Sequence, residues 1–102
     1  MKTKTYTKKD IVKRVANQTN SSIDQTAPYV NEIFGAIREM MSEDHGNIRI
    51  EVRNFGVFEV KPTKAKPRAR NPRTNEEVYV PAHKKSHFKP GKILKQTLKQ
   101  PI

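Results

Sequence analysis

The chain is expected to fold as α+β. Two helices come first, antiparallel strands carrying a long protruding hairpin follow, and a short helix closes the chain. Three observations carry this reading. Apolar residues recur at steps of three and four as far as Met41, then at a period of two from Ile48. Between the strand-forming stretches lies a run that no core could hold: Lys61 to Arg73, KPTKAKPRARNPR, has six basic side chains, three prolines and no acid. The length, 102 residues, bounds the chain to one domain at most.

The first helix is expected over about Lys8 to Gln18. Thr7 stands three residues before Asp10, as a cap and an acidic N3 residue should. Ile11, Val12, Val15 and Ala16 share one face, with Lys8, Lys9, Lys13 and Arg14 opposite. Residues 17–22 are polar and form a turn. In the second helix Ile23, Ala27, Val30, Ile33, Phe34, Ile37, Met40 and Met41 form one broad apolar face, and His45-Gly46-Asn47 ends it near Asp44. Pro28 leaves two alternatives: with Asp24 as cap it falls near the first turn and does little harm, and with Ser22 as cap it kinks the helix.

Ile48, Ile50 and Val52 then alternate with Arg49, Glu51 and Arg53, the pattern of a half-buried strand. Asn54-Phe55-Gly56 turns the chain, and Val57 to Val60 form a second strand. The basic run leads to a turn at Pro72-Arg73-Thr74-Asn75, with Asn75 suited to a left-handed conformation. Val78 and Val80 mark the return. The hairpin between about Lys61 and Lys85 has little to bury, so it should be mobile in the free protein. Pro90 is placed as the first residue of a last helix that buries Ile93, Leu94 and Leu98. The expected organisation is a flexible basic leader at 1–6 and one domain at 7–100. Its helical part spans 7–46, its strands and arm 47–88 and its C-terminal helix 89–100.

Charge is unevenly spread. Residues 1–46 hold seven Lys/Arg and six Asp/Glu, whereas residues 47–102 hold fourteen and four, so nearly all of the net +11 sits in the second half. Such asymmetry implies a polyanionic partner, nucleic acid before anionic membrane. Hydrophobic residues make up 33% of the chain, little for a self-sufficient core of this size, and oligomerisation is the remedy.

Other classes find little support. Without cysteine there is no disulfide framework and no cysteine-based metal site. No apolar run is long enough to span a bilayer, and the basic N-terminus lacks the apolar stretch of a secretory signal. A soluble protein of a reducing, cytoplasmic interior is expected, in which the two Asn-X-Ser/Thr matches at Asn17 and Asn20 are chance. His83 and His87 are four apart, but their surroundings are extended and lysine-rich, so no metal, cofactor or catalytic site is assigned. Phe34, Phe55, Phe58 and Phe88 are read as core, and Glu76 and Glu77 as partners of arm cations.

Three segments occur in order: Val52-Arg53-Asn54-Phe55-Gly56-Val57-Phe58, Arg70-Asn71-Pro72-Arg73-Thr74-Asn75-Glu76 and His87-Phe88-Lys89-Pro90-Gly91-Lys92. Together they resemble the HU/IHF family of bacterial DNA-bending nucleoid proteins, over about residues 5–99. Glu51-Val52-Arg53 and His87-Phe88-Lys89-Pro90-Gly91 are closer to the IHF beta subunit. The resemblance implies an HU/IHF-like intertwined dimer with two N-terminal helices, a β-saddle with a long protruding β-arm and a short C-terminal helix. It implies a non-enzymatic architectural protein whose paired arms enter the DNA minor groove, bend the duplex and compact the nucleoid.

By motif match Pro72 is the intercalating wedge. The DNA-binding set is Arg53, Lys61, Lys64, Lys66, Arg68, Arg70, Asn71, Pro72, Arg73, Lys84, Lys85, Lys89 and Lys92, with Lys84, Lys85, Lys89 and Lys92 on the last helix and the loop before it. Partners would be double-stranded DNA, with bent, nicked or distorted sites favoured, and a second copy of the chain, a paralogue being the alternative. Sequence-specific and general binding both stay open.

Several features depart from the family pattern. Asn54 stands for a glycine before Phe-Gly, Ala69 and Asn75 stand for arm-tip glycines, and Pro28 interrupts the second helix. The outgoing arm is one residue longer, which calls for a bulge at Pro62 or Pro67.

Lys and Arg release counterions from phosphates, arginine suits a narrow minor groove, and a rigid apolar proline can fill an unstacked base step. Two rivals rest on composition. An RNA-binding role fits the charge but not a wedge-tipped ribbon, because the A-form minor groove is wide and shallow. A membrane-surface role would need interfacial aromatics that the first helix lacks.

Overall fold

A computed structural model describes residues 2–102. The chain forms two compact units, one ending at Met40 and the other spanning Met41–Ile102. The first holds α1 (Lys8–Gln18) and nearly all of α2 (Ile23–Met41). The second holds β1 (Ile48–Val52), β2 (Gly56–Pro62), β3 (Lys66–Arg70), β4 (Glu77–Val80), β5 (Lys84–Pro90) and α3 (Lys92–Leu98).

α1 begins as its sequence dictates. The Asp10 carboxylate accepts from the Thr7 backbone N–H at 2.9 Å and from its hydroxyl at 3.1 Å, closing a capping box. The Thr7 backbone bond, then the Thr7 hydroxyl, hold the Asp10 carboxyl below its ordinary value. Before the helix, the Tyr6 ring lies under Lys4 Nζ at 5.2 Å and the Arg14 guanidinium at 5.6 Å, so this end of the expected leader touches α1. Met1 of that leader lies outside the described residues.

Of the alternatives at Pro28, the second start holds. Ser22 Oγ accepts from the Gln25 N–H at 3.0 Å while the Gln25 side chain accepts from the Ser22 N–H at 3.3 Å, which makes Ser22 the cap. Pro28 therefore sits inside α2, which is one continuous helix. Its end at Met41 comes three residues before Asp44. Val12, Ala16, Thr26 and Val30 are buried in this unit, while Ile33 is 57% and Phe34 43% exposed. Phe34 is thus not core within one chain, and Ile23 and Met40 of the same apolar face are exposed with it.

In the second unit β2 is the central strand of an antiparallel sheet ordered β1-β2-β5, and β3 and β4 form a separate ribbon. β5 is a strand that the sequence pattern does not predict. Its sequence KKSHFKP has no apolar alternation, and pairing with β2 from Gly56↔Pro90 to Pro62↔Lys84 imposes its extended form. Pro90 therefore ends β5 instead of opening the helix. Gly91 caps α3, its N–H donating to the Phe55 carbonyl at 2.8 Å. Leu94 is half-buried, but Ile93 and Leu98 are exposed, contrary to the expected packing; α3 is too short to bury more than one side chain against the sheet.

Phe55, Phe58 and Phe88 cluster with ring centroids 5.0 to 6.1 Å apart, although Phe55 remains 45% exposed at its turn. Gly56 is required there, since a Cβ would run into the Lys89 carbonyl and the Phe88 ring. Asn54 takes φ 65°, the left-handed backbone for which glycine is usual and asparagine the next choice.

Candidate nucleic-acid interface

The ribbon leaves the sheet at a defined root. Beyond the last sheet pair, Pro62↔Lys84, the Thr63 N–H donates to the His83 carbonyl at 2.7 Å and the His83 N–H to the Thr63 hydroxyl at 3.3 Å. Lys64 and Ala65 are unpaired, and β3–β4 pairing starts at Lys66↔Val80.

The expected extra residue is absorbed at Pro67. Lys66 pairs with Val80 and Ala69 with Val78, so Pro67 and Arg68 together oppose Tyr79. Proline has no N–H to lose from the ladder, which makes it a low-cost bulge residue. Beyond the bulge, Arg70 faces Glu77, with Nη2 to Oε1 at 3.8 Å.

The tip spans residues 71–76 and is held by its own groups. Asn71 Oδ1 accepts from the Arg73 N–H at 3.0 Å, and the Asn71 carbonyl accepts from the Asn75 N–H at 2.7 Å. The Asn71 N–H donates to the Glu76 carbonyl at 2.9 Å, and Asn75 adopts φ 58°, the left-handed form expected of it. Arg70 Nη1 adds a bond to the Asn75 carbonyl at 3.0 Å. Arg70 and Asn71 thereby shape the loop, and Pro72 and Arg73 project from it exposed.

The remaining cations sit on the body. Lys84, Lys85 and Lys89 lie on β5, not in a loop or helix, and only Lys92 belongs to α3. Lys61 and Lys85 are directly paired across β2 and β5. Lys84 Nζ reaches Asp44 at 3.9 Å and donates to the Glu43 carbonyl at 3.4 Å. Arg53 and Lys92 meet along one shallow cavity, with Arg49, Asn54, Phe55 and Ile93.

Glu59 is a further member of this charged surface, absent from the set expected from the sequence. It is 4% exposed, with Oε1 3.1 Å from Lys89 Nζ and Oε2 3.8 Å from Lys61 Nζ. The Lys89 ammonium, first of all, holds this carboxyl below its ordinary value, against the burial that would raise it. An acid between Phe58 and Val60 in a basic segment was the available signal. His83 contacts Thr63 and the Pro81 carbonyl, and no cluster of metal-ligating side chains occurs among the described residues.

Comparison with known proteins agrees with this geometry. The bacterial DNA-binding protein family matches residues 6–99. The SPbeta prophage-derived DNA-binding protein HU 2 of Bacillus subtilis is 35% identical over 92 residues, covering 90% of this chain and 96% of its own length. DNA-binding protein HU-1 of Halalkalibacterium halodurans is 35% identical over 91 residues, covering 89% and 97%. Among solved structures, the Anabaena HU–DNA cocrystal structure superposes with a TM-score of 0.80 at 28% identity, over 94% of this chain and all of that one. With a family match over nearly its whole length and a ribbon, tip and body sheet to go with it, the chain belongs to the bacterial DNA-binding protein family of HU and IHF.

Proposed function

We propose that this protein is a non-enzymatic architectural DNA-binding protein of the bacterial nucleoid, acting as a homodimer. Its two arms enter the minor groove, bend the duplex and favour sites already bent, nicked or distorted. The observation that carries the reading is the ribbon itself. It buries little, concentrates Lys64, Lys66, Arg68, Arg70 and Arg73, and ends in an exposed Pro72 on a loop built by Asn71 and Asn75. Cations along the arm supply counterion release, and a rigid apolar tip supplies a wedge for an unstacked step.

Lys61, Lys84, Lys85, Lys89, Lys92 and Arg53 would meet phosphates flanking the bend, with the body as a second charged surface. Exposed apolar residues at Ile33, Phe34, Ile93 and Leu98 support the second copy. No described helix is long and apolar enough to cross a membrane, and the family match supports a cytoplasmic, nucleoid location.

The test compares nicked duplex, linear duplex and double-stranded RNA at matched salt. Nicked DNA is expected to bind tightest and RNA weakest. The logarithm of affinity should fall steeply with that of salt, and Lys64→Ala or Lys66→Ala should make the slope shallower by about one unit or less. Equal affinity for RNA and DNA, or an affinity indifferent to salt, would refute the reading.

A further inference from the structure

The bulge decides what the arm presents on each face. Lys66 and Ala69 both pair with residues of one face, Val80 and Val78. Pro67 and Arg68 therefore share the single slot opposite Tyr79. Arg70 pairs with Glu77, two residues from Tyr79 and so on the same face as Tyr79. That face thus carries Arg68, Tyr79 and Arg70 in a row, with Pro67 beside them. Were the extra residue not absorbed locally, every side chain beyond it would change face.

A single exposed tyrosine is ordinary on a protein surface. Tyr79 differs in its setting. It is 65% exposed, stands on a ribbon with almost no core of its own, and shares its face with Arg68 and Arg70 of the paired strand. Its ring has apolar faces and a hydroxyl at the rim, a pairing suited to a surface that is apolar in one part and polar in another. The minor groove is such a surface, with deoxyribose walls and a floor of acceptors at adenine N3 and thymine O2.

We propose that Tyr79 is a minor-groove contact, packing its ring on the deoxyribose wall while Arg68 and Arg70 bracket it in the groove. The bulge at Pro67–Arg68 sets this face toward the DNA, so the added arm residue places a contact instead of merely lengthening the arm. Glu77, on the same face, draws on Arg70 at 3.8 Å, which leaves Arg68 as the stronger electrostatic neighbour. This inference rests on the DNA-binding reading above.

The test uses the full chain. It contains three tyrosines and no tryptophan, so Tyr6→Phe with Tyr29→Phe leaves Tyr79 as the only strong intrinsic fluorophore. On saturation with a short nicked duplex, quenching of Tyr79 by acrylamide should fall severalfold relative to the free protein. In a separate series, Tyr79→Ala should weaken duplex binding about five- to tenfold, as loss of one well-packed aromatic contact does. The salt slope should stay unchanged, since no charge is removed. Tyr79→Phe should lose less than Tyr79→Ala, and Arg68→Ala should lower the slope. Circular dichroism checks that each variant keeps its helices. If wild-type protein binds the duplex while Tyr79 remains as accessible to acrylamide as before, the inference fails and the DNA reading stands. If the wild type binds no duplex, both fail.

Discussion

Thr63 and His83 hold each other across the root of the arm, where the β2–β5 ladder has ended and the β3–β4 ladder has not begun. The Thr63 hydroxyl lies 3.1 Å from both the carbonyl and Nδ1 of His83, beside the 2.7 Å backbone bond between the two residues. Next to them, Lys64, Ala65, Pro81 and Ala82 have no ladder partner. Thr63→Val keeps the branched shape and removes the hydroxyl. Amide exchange should quicken at residues 63–66 and 80–83 and stay unchanged in β1 and in the β2–β5 ladder as far as Glu59↔His87. Global stability should change by about 1 kcal/mol or less, the usual net worth of one hydrogen bond. Uniform quickening across the sheet would mean that the pair supports the body and not the arm root.

Assembly should be obligatory. Val12, Ala16, Thr26 and Val30 are the buried residues of the helical unit, too few for independent stability, while Ile33 and Phe34 stand largely uncovered. Sedimentation at micromolar concentration should give twice the 11.8 kDa of one chain, with a melting temperature that rises with concentration. Ile33→Asp should abolish both the dimer and cooperative melting. A stable, folded monomer would contradict this.

Acid should weaken the body through Glu59. Its carboxyl is held below the ordinary 4.5 chiefly by Lys89, so the folded state favours the ionised form. The stabilisation is then fully present above pH 4.5 and fades as pH falls through that value toward the lower folded one. Glu59→Gln should melt at a lower temperature than the wild type at pH 7, and the gap should narrow as pH falls below 4.5. A gap independent of pH would assign the loss to packing and not to charge.

Bending should separate from binding at Pro72. Pro72→Ala removes the rigid apolar tip and leaves every charge, so counterion release and most of the affinity should persist. The bend should shrink, because a partly unstacked step loses the filler that offsets a few kcal/mol of stacking. Preference for nicked over linear duplex should fall with it. Energy transfer between the ends of a short duplex at saturating protein measures the angle. An unchanged angle would reduce Pro72 to a turn residue.

Local chemistry by itself determined much of this molecule. Thr7 and Asp10 set the start of α1, Gln18 its last residue, and the alternation from Ile48 set β1, because caps and periodicity act within a few residues. Asn75 was legible for the same reason, since tolerance of a positive φ is a property of a single residue, whereas a missing donor left Pro62 and Pro67 equal and only the strand pairing placed the bulge at Pro67. The candidate arm, tip and basic set were likewise readable from composition and motif. What only tertiary structure decided depends on partners distant in sequence. β5 is a strand because β2 lies beside it, Pro90 ends a ladder because it faces Gly56, and Glu59 meets Lys89 because β2 and β5 pair. No window of sequence contains those pairings, since each joins residues whose proximity arises only when the chain has folded back on itself.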